Sequence, residues 1–306
     1  RAPCAMQYAG DFLACKGINR EPHGSTSSRE SVNRMRRVGA GPLEIGLPPT
    51  AIPDSAHAIA PLDSRIYPRA MPVATPQSTT ALILICAPPQ QGAGPVRLTA
   101  AFGPRLACLV EWAVQECAME DLLHWSGRRY LAVNSDDVSW AEGAVEDRAE
   151  VLIQPAGSFG SRLVALDVRL RAQGVERMIY LGAIAPAMNP ACLDAAAAAL
   201  ARGETVIGPV SDGRAALLGT ARGWPALDPL QFHRSTAAGR VANGCRRAGH
   251  DLAFVNPGVT ISCIADIEAC SRELEGDPRP ARARLRFLLS ALGAEVVGSR
   301  QQLREV

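Results

Sequence analysis

The sequence predicts an α/β protein with a three-layer architecture, in which a mainly parallel, twisted sheet lies between helices on both of its faces. Short apolar runs alternate with helical patterns between residues 81 and 256, which is the order that parallel strands joined by crossover helices produce. The first run, 81–86, is apolar throughout, as expected for a strand buried on both faces of a parallel sheet. Glycine or proline stands at most junctions and favours turns there.

The most regular part of the pattern lies near the middle of the chain. The apolar run Met178–Leu181 predicts a strand, and Asn189 followed by Pro190 predicts the start of a helix. Two more short strands are predicted at 205–207 and 215–218. Ligands of open α/β sheets bind beyond the carboxyl ends of the strands. We therefore expect the functional site at the loops 183–188 and 209–213.

The strongest helical pattern in the chain begins at Pro104 and ends before Gly127. Its apolar residues share one face at helical spacing: Leu106, Leu109, Val110, Ala113, Val114 and Cys117. Residues 88–98, before this helix, are predicted to form a loop rich in proline and glycine. The other predicted elements are strands at 129–134, 150–153 and 252–255 and helices beginning near 163, 236, 266 and 282.

Composition excludes several classes of function. The net charge of the 306 residues is +2, so the chain lacks the basic excess of a nucleic-acid-binding protein. No apolar run approaches the roughly 20 residues of a membrane-spanning helix. The nine cysteines form no C-x-x-C pair and no metal-ligand spacing with histidine. Together these features predict a cytoplasmic protein with buried thiols and without a membrane or nucleic-acid partner.

The predicted domain organisation has three parts. Residues 1–78 contain many prolines and no sustained period, so they are expected to be a disordered extension or the product of a mis-called start, with Met71 as the true start. Residues 79–275 are expected to form the globular domain. Residues 276–306 are expected to form a helical tail at the C-terminus.

One candidate anion site lies in the loop 154–163, which leads into a predicted helix. Gly157 and Gly160 allow a tight turn there, and the free N–H groups of a helix start attract anions. Arg162 lies in the first helical turn against the helix dipole, so it needs a negative partner, which a ligand phosphate or a nearby acid would provide equally well. Many loops of this composition bind nothing, so the pattern alone is a weak indication.

Four stretches, in this order and spacing, resemble the GT-A-like transferases related to nucleotide-diphospho-sugar transferases, in the group known as rSAM/selenodomain-associated transferases. The resemblance extends over roughly 81–274. The matching stretches are the Pro/Gly loop 88–98, the glycine loop 154–163, the segment 208–219 with its Gly-Pro-x-x-Asp-Gly sequence, and the pair Ser235-Thr236.

The resemblance implies a GT-A fold, a nucleotide or nucleotide sugar as ligand, and a set of site residues. Asp212 matches the aspartate of the Asp-Gly-Gly segment and is the candidate catalytic residue, as a ligand of residual metal or of the acceptor. The candidate nucleotide-binding residues lie in the three loops: Gly92, Arg97, Gly157, Gly160, Arg162 and Arg214.

The sequence departs from the family where the family has acidic residues. Ile184 stands at the aspartate position after the central strand, and Thr260 and Ser262 stand at the two aspartates of the C-terminal Asp-x-Asp pair. Arg214 replaces the second glycine of the Asp-Gly-Gly segment. Hard cations such as Mg²⁺ or Mn²⁺ need oxygen ligands, preferably anionic, so Asp212 alone would hold a metal weakly and no metal ligand is assigned. Arginines can neutralise a diphosphate without metal.

Three hypotheses follow. The favoured hypothesis is a transferase-like protein that has lost catalysis and keeps a phosphate- or nucleotide-binding pocket. The first alternative is an active, metal-independent transferase that uses a nucleotide-activated donor. The second alternative is a non-enzymatic scaffold or interaction protein. His233 is a further candidate for catalysis, although a lone histidine is more often a surface residue.

Overall fold

The computed structural model describes residues 79–90, 95–227 and 230–302, with the side chains described as far as residue 293. The expectations for Gly92 and for residues 1–78 fall outside the described residues. The predicted domain boundaries remain predictions.

The described strands form one seven-stranded sheet. Their bounds are β1 (Thr80–Ile85), β2 (Arg129–Val133), β3 (Glu150–Ile153), β4 (Arg177–Gly182), β5 (Thr205–Pro209), β6 (Ala215–Thr220) and β7 (Leu252–Phe254). They lie in the order β3-β2-β1-β4-β6-β5-β7. All neighbours are parallel except β6, which is antiparallel to β4 and β5. The predicted mainly parallel sheet is confirmed.

Helices cover both faces of this sheet. The described helices are α1 (Val96–His124), α2 (Val138–Val145), α3 (Phe159–Ala172), α4 (Pro190–Ala201), α5 (Ala237–Arg247), α6 (Ile264–Glu273) and α7 (Pro280–Gln302). Leu82 and Leu84 of β1 pack with α1, α2 and α4 on one face, whereas Ile83 packs with α3 and α5 on the other. This alternation is why the strand is apolar throughout, and the predicted three-layer fold is confirmed.

The start of α1 differs from the prediction. Helical structure begins at Val96, so the C-terminal end of the predicted loop 88–98 is helical, and this first stretch, which precedes the predicted helix, was not predicted. Gly103 interrupts the helix with φ +78° and ψ 165°. Only glycine adopts this conformation readily, and it permits Pro104, which has no N–H, to begin a second helical stretch. Leu98, in the first stretch, is fully buried.

The C-terminal helix α7 packs against α1 and α6. Its leucines Leu285, Leu289 and Leu292 are buried in a cluster with residues of both helices. Arg282 is also completely buried there and donates to Glu120 at 2.9 Å and to Asp121 at 2.6 Å. Among the described residues, no helix is both long enough and apolar enough to cross a membrane.

Candidate functional site

Two cavities open beside the carboxyl ends of β1 and β4, where the fold class predicts a ligand site. Their volumes are about 300 Å³ and about 230 Å³. Four residues line both cavities: Ile85, Ala183, Ile184 and Arg214. The larger is called the polar cavity because Glu111, Gln115 and Thr260 lie among its mainly apolar lining residues. The smaller is called the apolar cavity because it contains no acidic or amide side chain among its described lining residues. Arg214 is the only charged residue that the two have in common.

The turn between β5 and β6 fixes the position of Arg214. Within it, the Gly213 amide donates to the Val210 carbonyl at 2.8 Å. Gly213 has φ +82°, and a Cβ atom there would lie 1.9 Å from the carbonyl oxygen of Ser235. No other residue fits this close approach. The turn is therefore pressed against the segment that leads into α5, where the Ala238 amide donates to the Gly213 carbonyl at 3.2 Å.

The guanidinium of Arg214 is held by three side chains. Its Nε donates to Oδ2 of Asp212 at 2.7 Å, and its Nη2 donates to the hydroxyls of Thr260 at 3.0 Å and Ser262 at 3.3 Å. Oδ1 of Asp212 accepts from the backbone N–H of Arg214 at 3.0 Å. Among the described residues, no partner accepts a hydrogen bond from Nη1. The Arg214 side chain is 25% exposed and lines both cavities, so a ligand can reach it.

The segment that provides Thr260 and Ser262 is itself held in place. The Thr260 amide donates to Oγ of Ser211 at 3.3 Å, and the Ser262 amide donates to Oδ2 of Asp266 at 2.8 Å. The two hydroxyls therefore meet Arg214 from a fixed backbone. This segment is where the family resemblance places two aspartates, and here an arginine and two hydroxyls meet instead.

The polar cavity lies on the α1 side of the sheet and contains Cys86, Glu111 and Gln115. Burial raises the pKa of the Glu111 carboxyl above its ordinary value. Burial, with a smaller effect of Asp137, raises the pKa of Cys86 to about 12, so this residue is a thiol at neutral pH and a weak nucleophile. Nε2 of Gln115 donates to the Cys86 sulfur at 3.6 Å.

The apolar cavity lies on the α3 side and is lined mainly by aromatic and aliphatic side chains. Phe159 and Phe232 form part of its wall, with ring centroids 4.6 Å apart and an interplanar angle of 52°. The ring of Tyr180 also lines the cavity, but its hydroxyl donates to Oδ1 of Asp167 at 3.2 Å and lies 3.2 Å from the Met178 sulfur. Apart from Arg214, no lining side chain offers an unused polar group.

The glycines of the predicted anion loop have structural roles. Gly157 has φ +118°, and a Cβ atom on Gly160 would lie 2.7 Å from the carbonyl oxygen of Leu227. Oγ of Ser158 caps α3 by accepting from the Ser161 amide at 3.1 Å, a common arrangement at helix starts. A turn, a close contact and a cap therefore account for this sequence, and phosphate binding by the two glycines remains a prediction.

The two predicted phosphate-binding arginines lie apart from Arg214. Arg97 is exposed on the first turn of α1. Arg162 stacks over the Phe159 ring, with 5.8 Å between Cζ and the ring centroid, and its buried Nε has no hydrogen-bond partner among the described residues. Neither is among the residues that line the two cavities. The structure thus joins Asp212 to Arg214, and phosphate contacts of Arg97 and Arg162 stay predictions.

The sequence did not single out Glu111, Phe159 and Phe232 as site residues. Glu111 follows Val110, which belongs to the apolar face of α1 and is buried. An acidic residue next to that face was therefore a sequence signal for a possible site residue. Phe232 directly precedes His233, which is exposed. In the residues that the structure describes, no group of three or more histidine, cysteine or acidic side chains could hold a metal ion.

Comparison with solved structures identifies the class of fold. The crystal structure of a protein described as a "putative nucleotide-diphospho-sugar transferase" from Desulfovibrio desulfuricans G20 matches with a TM-score of 0.62 and 15% identity, over 70% of this chain and 98% of that one. A 4-diphosphocytidyl-2C-methyl-D-erythritol synthase matches with a TM-score of 0.40 and 13% identity, over 69% of this chain and 99% of that one. The inositol-1-phosphate CTP transferase from T. maritima matches with a TM-score of 0.38 and 13% identity, over 65% and 98%.

A family model adds a match by sequence. Residues 119–233 match the family described as "Uncharacterized protein conserved in bacteria (DUF2064)". Comparison with curated proteins gives no match. TM-scores below 0.5 do not indicate a shared fold by themselves, so the first structure is the informative one. With the family match, it confirms the resemblance to GT-A-like nucleotide-diphospho-sugar transferases at the level of the fold.

Proposed function

We propose that this transferase-like protein binds a nucleotide or nucleotide sugar through its phosphates at Arg214 and has lost the metal-dependent chemistry of a transferase. The observation that supports this most directly is the tethered guanidinium at the junction of two cavities. Asp212, Thr260 and Ser262 fix its orientation, while Nη1 keeps its donors for a ligand. A preorganised guanidinium binds phosphate oxygens with charge-assisted hydrogen bonds and little loss of entropy.

The residues around Arg214 do not fit a divalent cation. Mg²⁺ and Mn²⁺ require several oxygen ligands, and the positions where the family has carboxylates hold Ile184, Thr260 and Ser262. Asp212, the carboxylate that is bonded to Arg214, accepts from it with both oxygens. A metal at Asp212 would also face the positive charge of the guanidinium. We therefore propose ligand binding that does not depend on Mg²⁺ or Mn²⁺, with Arg214 providing the positive charge.

An active, metal-independent transferase is the second candidate. The observation that favours it is Glu111, whose half-buried carboxyl shares the polar cavity with Arg214. Its raised pKa brings the group closer to the range of a general base at neutral pH. In this version Glu111 would accept a proton from an acceptor hydroxyl, and Arg214 would stabilise charge on the leaving phosphate. Asp212 would act by positioning Arg214.

The test is calorimetric titration of the full chain with nucleoside diphosphates, nucleoside triphosphates and nucleotide sugars, each with and without Mn²⁺. We expect at least one ligand to bind equally well in both conditions and to bind at least about tenfold more weakly to Arg214→Ala. Arg240→Ala, which removes an exposed arginine of α5, is the control. Arg97→Ala and Arg162→Ala test the two other predicted contacts in the same way.

Each outcome decides between the hypotheses. Affinity that rises with Mn²⁺ would contradict the proposed metal independence. Binding followed by release of the transferred group, seen by product analysis, would favour the active enzyme over the degenerate one. Absence of binding to every member of the panel would leave the scaffold hypothesis.

The compartment and the class of partner are also part of the proposal. All seven cysteines in the described part of the chain are free thiols, which agrees with a reducing environment. We propose a cytoplasmic protein whose partner is a phosphorylated small molecule, without a nucleic-acid or membrane partner.

A further inference from the structure

The apolar cavity adjoins the proposed phosphate site and differs from it in chemistry. Arg214 is its only charged lining residue, and the remaining lining is aromatic or aliphatic, including Phe159, Phe232, Ala215 and Leu218. A fixed cation at one end of an apolar cavity matches a ligand that carries an anionic group next to an apolar one. A cation and an apolar lining together restrict the class of ligand more than the cation alone does.

The size of the cavity limits what can enter it. An apolar cavity of about 150 Å³ lined by aliphatic and aromatic side chains is large enough to bind benzene. The apolar cavity, with a volume of about 230 Å³, therefore admits one six-membered ring with small substituents. Phe159 and Phe232 are only half-buried, so both rings still expose apolar surface that a flat ligand group would cover.

The lining is unfavourable for a nucleobase. The edge of a base presents donors and acceptors that lose their bonds to water on burial and must find new partners. The Tyr180 hydroxyl is already engaged with Asp167, and the other lining side chains apart from Arg214 are apolar. The polar cavity, in contrast, offers Glu111, Gln115 and Thr260, which can bind the hydroxyl groups of a sugar.

We propose that the apolar cavity binds an aryl or cyclic alkyl group attached to a phosphate that Arg214 holds. This inference rests on the proposed function for the phosphate contact, and it adds a chemical class: an organic phosphate whose ester group is flat and apolar. The nucleotide or sugar part of a ligand occupies the polar cavity on the other side of Arg214. Phe159 and Phe232 then determine specificity.

The test compares two probes that share the phosphate and differ in the ester group. Phenyl phosphate and methyl phosphate are titrated into the full chain, and their dissociation constants are measured by NMR chemical-shift changes. We expect phenyl phosphate to bind at least about tenfold more tightly, because burial of a ring removes apolar surface from water. Adenosine monophosphate is the third probe, and its affinity is expected not to depend on the apolar cavity, because its base and sugar occupy the polar cavity.

Matched variants locate the effect. Ala215→Leu places a larger side chain in the apolar cavity alone and is expected to abolish the preference for phenyl phosphate while leaving methyl phosphate unchanged. Ala87→Leu, in the polar cavity alone, is the control and is expected to keep the preference. If Ala215→Leu does not fold, the ratio of the two dissociation constants in the unaltered chain still decides.

The outcomes separate the two proposals. Equal affinity for phenyl and methyl phosphate would overturn the inference about the apolar cavity and leave the phosphate site standing. A preference for phenyl phosphate that survives in Ala215→Leu but disappears in Ala87→Leu would place the ring in the polar cavity. That result would also overturn the inference. Failure of both phosphates to bind would overturn the proposed function together with this inference.

Discussion

Two arginines of this protein have similar partners and different surroundings. Arg282 lies between α7 and α1, is 0% exposed, and bonds to Glu120 and Asp121. Arg214 lies at the carboxyl ends of the strands, is 25% exposed, and bonds to Asp212 and two hydroxyls. In the first case the protein provides two carboxylates and the Cys117 carbonyl. In the second it provides one carboxylate and leaves Nη1 without a partner among the described residues.

The difference separates a structural ion cluster from a binding site. Burial opposes the charge of Arg282, but Asp121 raises its pKa above the ordinary value. The charge is therefore held and neutralised by carboxylates inside the protein, although Nε of Arg282 has no hydrogen-bond partner among the described residues. A compensated charge has no need of a ligand. Arg214 is also held by hydrogen bonds, but its Nη1 has no partner among the described residues and the side chain lines two cavities. A guanidinium with free donors at a cavity can bind an anionic ligand.

The largest expected effect comes from breaking the buried cluster. Arg282→Met would leave Glu120 and Asp121 buried without their main cation, and removal of one partner from a buried ion pair costs about 3–5 kcal/mol. We expect the free energy of unfolding in urea to fall by this amount. Ligand affinity of the folded fraction should not change, because Arg282 contacts neither cavity.

The pair between Arg284 and Glu116 is the matched control. It joins the same two helices at 3.0 Å, but both side chains are about one third exposed. Arg284→Ala should therefore cost no more than about 1 kcal/mol. If the two variants lost equal stability, burial would not be the cause of the difference.

In contrast to Arg282→Met, Arg214→Ala should weaken ligand binding and leave stability nearly unchanged. Because the ion pair between Arg214 and Asp212 is partly exposed, we expect the free energy of unfolding to change by no more than about 1 kcal/mol. The affinity for the phosphate-bearing ligand should fall at least about tenfold. Urea unfolding and calorimetry on the same sample measure both quantities, and a large loss of stability with unchanged affinity would make Arg214 a second structural cluster.

Asp212→Asn tests how much the bond between Asp212 and Arg214 contributes to ligand binding. The amide keeps the size of the side chain but removes the charge that orients the guanidinium, so Arg214 should become more mobile. We expect ligand affinity to fall by a smaller factor than in Arg214→Ala, about threefold to tenfold, since a charge-assisted bond is worth about 1.5–3 kcal/mol and only its orienting part is lost. Tighter binding in this variant would show that Asp212 mainly repels the ligand.

The smallest expected effect is a pH dependence that comes from Glu111. Its carboxylate repels a phosphate in the polar cavity. Because the pKa of Glu111 is raised, this carboxylate becomes protonated at a higher pH than an ordinary glutamate does. Affinity should therefore rise as pH falls from 7 to 5. This pH dependence should be absent in Glu111→Gln. At each pH, the affinity of the unaltered chain divided by that of Glu111→Gln does not depend on titration of the ligand itself. A constant ratio would exclude Glu111 from the site.

Sequence patterns were sufficient for most of the fold. Glycine and proline mark the ends of the strands, and the apolar run at 81–86 matches β1 because a strand buried on both faces needs no polar positions. The predicted helix start at Pro104 corresponds to the second stretch of α1, because proline is a common residue in the first turn of a helix, but the stretch before Gly103 was missed. The earlier helical stretch depends instead on the positive φ of Gly103 and on burial of Leu98.

The sequence by itself determined the sheet, the helices on both faces and the position of Asp212 and Arg214 in one turn. Only the tertiary structure decided what those two residues do. Thr260 and Ser262 are distant from Arg214 in sequence, and their contact with it requires the folded core between them. The cavities likewise are lined by side chains from several separate elements. Phe159 belongs to α3, for example, whereas Phe232 lies in the segment before α5. Local sequence sets local conformation, whereas a binding site depends on which distant groups packing brings within hydrogen-bond distance.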